Sequence, residues 1–259
     1  MTRRTKMLAL AVVLPVLLAG CAANSPNGAN VGSPAAESNL RLARAAMDGG
    51  DAQTAVSLFQ QTLKRNPEDY DARLGLGDAF FMAGEPERAR TAYAEAAKRR
   101  PKALEPELAL GRIALQKRQF AEAELHYTNA QTFDGTDPRP LCGLGAVMDV
   151  QGRHAEAQAL YQKALAAHPE NAAARSNLGL SLALAGQPRQ AVAVLLDIAT
   201  APSAPAQARQ NLAFAYGLIG NDEAAESILT NELDRTAVKQ NLDYYRFVRS
   251  RTAAGAPRP

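Results

Sequence analysis

The chain has 259 residues, with 29 Lys and Arg against 26 Asp and Glu, no Trp and 5% aromatic residues. Its net charge of +3 comes wholly from the start, where Arg3, Arg4 and Lys6 precede any acid; from Cys21 onward 26 basic residues balance 26 acidic ones. That balance excludes the basic footprint that nucleic-acid binding requires, and abundant alanine with few aromatics favours closely packed helices over a sheet core. There are two cysteines.

Residues 1–6 are basic and Met7 to Leu18 is apolar, broken only by Pro15. The apolar run is shorter than the roughly 20 residues of a membrane-spanning helix and reads as a secretory signal. It ends in Leu18-Ala19-Gly20-Cys21, which resembles a bacterial lipobox. The resemblance implies removal of residues 1–20 and acylation of Cys21, whose thiolate is a strong nucleophile. Several acyl chains would anchor the protein almost irreversibly. Ala22 in place of Asp implies sorting to the outer membrane, facing the periplasm. The competing reading is an ordinary cleaved signal beside a free cysteine. Cys142 is left without a disulfide partner and reads as a small helix residue. Residues 21–36, rich in Asn, Ser, Gly and Pro, are expected to form a flexible tether.

A strict period follows. Leu42, Leu76, Leu110, Leu144, Leu178 and Leu212 are each 34 residues apart, and Gly77, Gly111, Gly145 and Gly179 follow four of them. Ala55, Ala89, Ala123, Ala157, Ala191 and Ala225 keep the same phase. Four residues after each stands Phe59, Tyr93, Tyr127, Tyr161, Leu195 or Leu229. Pro67, Pro101 and Pro169 close three units. This is the pattern and period of the tetratricopeptide repeat. The expected fold is all-α: a right-handed solenoid over residues 37–250, with six helix-turn-helix units starting near 36, 70, 104, 138, 172 and 206. Small residues mark close helix crossings, and Gly in the inter-helix turns supplies the left-handed helix stop. The third turn, Lys117-Arg118-Gln119, has no Gly and is expected to be strained or differently shaped. The joint at Ala201-Pro202-Ser203-Ala204-Pro205 is expected to be irregular. Residues 238–250 read as a cap helix closing the array, and 251–259 as a disordered tail.

No catalytic constellation, phosphate loop or metal motif stands out, and neither enzyme activity nor a cofactor is expected. His126, His154 and His168 read as polar caps or solvated surface. Binding is expected on the concave face, lined by the first helices. From the phase, that face carries Leu74, Asp78, Phe81 and Met82, then Leu108, Arg112 and Leu115. It continues through Cys142, Ala146 and Asp149 to Ser176 and Leu180, and ends at Gln210 and Phe214. The face is more apolar than charged, which suits an extended or helical peptide with apolar anchors. The competing reading makes these side chains packing between units.

Residues 211–220 (NLAFAYGLIG) with Ala224-Ala225-Glu226, followed by Asn241-Leu242-Asp243-Tyr244-Tyr245-Arg246, resemble the end of TadD-type proteins. These are repeat lipoproteins of the Tad (tight adherence, or Flp) pilus assembly systems. The plan of lipobox, tether, repeats and cap is similar too. The resemblance implies an outer-membrane pilotin or scaffold whose groove holds the pilus secretin or another Tad subunit. The alternative is a general periplasmic scaffold for other envelope assemblies. Membrane contact would be through the lipid anchor alone.

Overall fold

The computed structural model describes residues 34–253, and Cys21, the signal and the end of the tail lie outside it. Every described element is an α-helix. The first unit is α1 (Pro34–Asp48) and α2 (Ala52–Arg65), followed by α3 (Tyr70–Met82) and α4 (Pro86–Arg99), then α5 (Leu104–Gln116) and α6 (Phe120–Phe133). Next come α7 (Pro138–Val150) with α8 (His154–Ala167), α9 (Ala172–Leu184) with α10 (Pro188–Thr200), and α11 (Ala206–Ile219) with α12 (Asp222–Leu229). A long last helix, α13, spans Arg235–Ala253. α1 therefore begins before residue 36, where the tether was expected to end, and the cap helix extends beyond 238–250 at both ends. No helix among the described residues is long and apolar enough to cross a membrane.

The start points keep the period of the sequence. Odd helices begin at 70, 104, 138, 172 and 206, and even helices at 52, 86, 120, 154, 188 and 222. Local chemistry fixes many of these ends. Asp69 accepts a hydrogen bond from the Ala72 N–H at 2.9 Å, and Asn171 one from Ala174 at 2.8 Å. Such caps satisfy backbone donors that the helix leaves open. At the other ends, Gly84 takes φ 75°, and the Glu85 N–H reaches back to the Phe80 carbonyl at 2.9 Å. This closes the helix in a Schellman turn.

The third turn has the same shape without the glycine. The Gln119 N–H donates to the Ala114 carbonyl at 2.9 Å, while Arg118 takes φ 58°. An L-residue there costs about 1–2 kcal/mol, so the turn is strained but not reshaped. The joint after α10 is the irregular one. α10 has 13 residues where α2, α4, α6 and α8 have 14, and Ala201 leaves it in an extended conformation. Pro202 and Pro205 explain the break, since neither can supply a backbone N–H.

The core is a chain of knobs. Phe59, Tyr93, Tyr127, Tyr161, Leu195 and Leu229 are all at most 3% exposed. Each fills a gap made by missing side chains. A Cβ on Gly77 would stand 2.5 Å from Tyr93, and one on Gly145 2.5 Å from Tyr161. Phe59 also presses on Gly75 of the next unit, and Tyr127 on Gly143. One aromatic thus bonds two helices of its own unit and the first helix of the next. Burying such a side chain stabilises by about 1.5–3 kcal/mol. The array has two layers. Odd helices touch one another (α1 with α3, α5 with α7, α7 with α9, α9 with α11), whereas even helices pack mainly on odd ones. The odd layer is therefore the closer-spaced, inner side of the curve.

α13 ends the stack. Val238, Leu242, Tyr245 and Val248 are buried, and Tyr245 lies against Gly217. Arg246 reaches Asp222 at 2.7 Å, and Arg249 donates to the Gly217 carbonyl at 2.7 Å and to Asp222 at 3.0 Å. The other face of α13 is mostly polar, as a terminal cap requires.

Candidate interaction groove

The inner face divides into an open half and a closed half. In the second and third units Leu74, Phe81 and Leu108 are half-buried, and Met82 is 39% exposed. Leu40 and Met47 of α1 stand at the same register as Leu74 and Phe81, and are also half-buried. The 34-residue phase was enough to find them, but the weakly patterned first unit hid them. Together they form an apolar strip across α1, α3 and α5.

Charged groups run through the strip. Asp78 accepts a hydrogen bond from the Tyr93 hydroxyl at 2.7 Å. Burial raises its carboxyl above the ordinary range, opposed by that bond and by the Arg112 charge. Burial, with Asp78 adding to it, also pushes the Tyr93 phenol up. The Arg112 guanidinium lies 4.2 Å from the Phe81 ring centroid, a cation–π stack that fixes its plane. Its Nε is buried with no acceptor.

Further along, the structure moves several expected groove residues into the core. Leu115 is 5% exposed, Cys142 9%, Ala146 7% and Ser176 4%. None of these offers a surface. Three of them are small, and helices close over small side chains; Leu115 lies in a cluster with Ala114, Tyr127 and Val147. Ser176 accepts from Asn211 Nδ2 at 3.0 Å, which ties α9 to α11. Phe214 packs on Tyr245 with centroids 5.3 Å apart and joins the sixth unit to the cap. Gln210 donates to Glu232 at 3.3 Å. Leu180 stays half-buried.

Asp149 is a structural centre. It accepts from Ser181 Oγ at 2.7 Å, His154 Nδ1 at 2.8 Å and Tyr161 Oη at 3.0 Å. Burial raises its carboxyl, and these three donors oppose the shift. α7, α8 and α9 meet at this one carboxylate. His154 is therefore a partner in an interior network, not a solvated turn residue. His126 Nδ1 lies 2.9 Å from Glu107, and His168 Nε2 2.7 Å from the Thr136 carbonyl. Sequence reasoning missed the Asp149 network because its members come from three helices with no motif between them.

Such an arrangement of paired helices around interlocking aromatics defines a tetratricopeptide-repeat array, the class of helical scaffolds that bind other proteins. Residues 6–241 match the family described as the cilia and flagella-associated protein 70 C-terminal domain, a tetratricopeptide-repeat domain, and the chain belongs to that family. No curated protein matches the chain. Among solved structures, the fold is similar to the APC/C hetero-tetramer Cut9–Hcn1, with a TM-score of 0.71 and 20% identity over 81% of this chain and 42% of that one. This chain thus spans less than half of that one. The fold is also similar to PilW, described as a widely conserved type IV pilus biogenesis factor, with a TM-score of 0.68 and 20% identity over 82% of this chain and 99% of that one. A third similar structure is PilF of Pseudomonas aeruginosa, with a TM-score of 0.62 and 17% identity over 76% and 90% of the two chains. At these identities the likeness is one of fold.

Proposed function

We propose that the protein is an outer-membrane lipoprotein of a Tad (Flp) pilus system. It would act as a scaffold or pilotin, holding a segment of the secretin, or of another Tad subunit, in the inner-face groove. The observation that carries this reading is the group of partly accessible apolar side chains, Leu74, Phe81, Met82 and Leu108, on the first helices of neighbouring units. Isolated apolar side chains on a surface need no explanation, but apolar side chains repeated on one face of successive units suit a peptide. The lipobox at Leu18–Cys21 and the 211–246 segment support the Tad assignment, and the folds of PilW and PilF are compatible with it. A lipid at Cys21 would keep the groove near the membrane and raise the local concentration of a client there. The alternative is a general periplasmic scaffold for other envelope complexes, since the same fold serves assemblies as different as Cut9–Hcn1.

The test is the amount of heat-resistant secretin multimer in outer-membrane fractions. We expect it to fall without this gene and with Cys21→Ser. Unchanged multimer in both strains refutes the pilotin role. A fall in the deletion alone separates the scaffold from the anchor.

A further inference from the structure

Arg112 differs from the other half-buried arginines of the first helices; Arg41 and Arg44 are exposed, and Arg175, also without an ion pair, donates to the Pro169 carbonyl. Arg73 pairs with Glu95, Arg139 with Asp137 at 2.7 Å, and Arg209 with Glu232. Arg112 makes no such ion pair among the described residues. Its charge acts on Asp78 and Tyr127, it lies within hydrogen-bonding reach of the Tyr93 hydroxyl, and its Nε, like that of Arg73, is buried without an acceptor. A half-buried guanidinium has lost part of its hydration and gains most from a carboxylate in its plane. The Phe81 ring already holds that plane 4.2 Å away, so little freedom is left to lose on binding. Asp78, the acid on which the Arg112 charge acts, accepts a hydrogen bond from the Tyr93 hydroxyl. Leu108 stands one turn before Arg112 on α5, and Leu74 and Met82 are partly accessible apolar residues on α3, the helix of Phe81.

We propose that the groove of the first three units takes a peptide carrying an acidic side chain between apolar residues, and that Arg112 receives its carboxylate. The proposal rests on the groove reading above and adds the chemistry of the client. The apolar surroundings select a peptide over a free phosphate group, because they give the flanking side chains somewhere to bury.

The experiment pans a random phage-displayed dodecapeptide library on the full chain in mild detergent, on Arg112→Gln and Arg112→Lys, and on the double variant Leu74→Glu/Leu108→Glu. Circular dichroism checks that each is folded. The unaltered chain is expected to enrich Asp or Glu flanked by apolar residues. Exchanging that acid for its amide should weaken binding about tenfold or more. Arg112→Gln should erase the difference between acid and amide, and Arg112→Lys should keep part of it, retaining charge without the planar fork. Enrichment of apolar peptides with no acid, abolished by the double variant, overturns the role of Arg112 and leaves the groove reading intact. Acidic peptides that bind the double variant equally well overturn both. So does a library with no peptide enriched over the double variant. Inorganic phosphate that raises the melting temperature only when Arg112 is present, with no acidic peptide enriched, assigns a phosphate ligand and overturns the peptide.

Discussion

Replacing Asp149 is the sharpest test of how the array is held together. The carboxylate takes three hydrogen bonds, and two of the donors, Tyr161 and Ser181, are 1% and 0% exposed. Asp149→Ala leaves the Tyr161 hydroxyl without an acceptor and Ser181 with only a long bond to the His154 carbonyl at 3.4 Å, at up to about 1–3 kcal/mol each. His154, at the edge of the network, can turn to water. Against this stands the removal of a buried charge, which the raised carboxyl pKa records as unfavourable. The net loss expected for Asp149→Ala is about 2–4 kcal/mol. Asp149→Asn keeps one acceptor oxygen, and the Tyr161 hydroxyl can rotate to accept from the amide. Its loss should stay below about 1 kcal/mol. The pH dependence has a sign. The folded carboxyl titrates above its ordinary 3.8, so the folded state binds its proton more readily than the unfolded chain. The unaltered protein should therefore gain stability relative to Asp149→Asn as pH falls through the raised folded value toward 3.8. Urea unfolding followed at 222 nm, at neutral pH and across this acid window, measures all three. An alanine variant within about 0.5 kcal/mol of the parent, or an asparagine variant as weak as alanine, refutes the account.

Other consequences are simpler to measure. Arg118→Gly should stabilise by about 0.5–1 kcal/mol, because relief of left-handed strain outweighs the added freedom of the unfolded chain; a lower melting temperature would contradict this. Leu42 is 55% exposed and Leu76 8% at the same repeat position. Leu42→Ala should then change stability by less than about 0.5 kcal/mol and Leu76→Ala by about 2–4, read from urea midpoints. Gly145→Leu drives a side chain into Tyr161 and should cost about 3 kcal/mol or more, seen as a melting shift or loss of soluble protein. Arg246 and Arg249 hold the Asp222 carboxyl below the usual range. That stabilisation is present above the ordinary carboxylate pKa and is lost as pH falls through the lowered folded value. The protection factors of the α13 amides, referred to the intrinsic rate at each pH, should therefore fall in acid, and Asp222→Asn should show the lower protection already at neutral pH.

The fold was legible in the sequence because a repeat states each packing rule several times. Gly77 and Tyr93, Gly145 and Tyr161, and Gly179 and Leu195 all repeat one contact. Even the missing glycine at Arg118 was readable as strain. Exposure was not legible, because it depends on what the neighbouring helices do. Leu42 and Leu76 are the same letter in the same phase, and among the described residues only the second has a preceding second helix, α2, to cover it. Cys142, Ala146 and Ser176 share a face with Leu74 and Leu108, but their small side chains let adjacent helices close over them. The Asp149 network joins residues 32 positions apart, and no local motif marks it.

This unevenness bears on function. The inner face carries half-buried Leu74, Phe81 and Leu108 and exposed Met82 in the second and third units; Cys142, Ala146 and Ser176 beyond them are buried, Leu180 is half-buried, and Phe214 packs on the cap. On the proposed reading, a client would bind at the end of the array nearest the start of the chain. α1 begins at Pro34, and if Cys21 carries a lipid, the intervening chain spans at most about 45 Å. The binding units and the anchor would then be held at the same end, which is where a membrane-delivered client would have to be. A longer linker inserted before Pro34 should lower delivery while leaving peptide affinity in solution unchanged. Equal delivery with a linker several times longer would mean that proximity to the membrane is not what the tether provides.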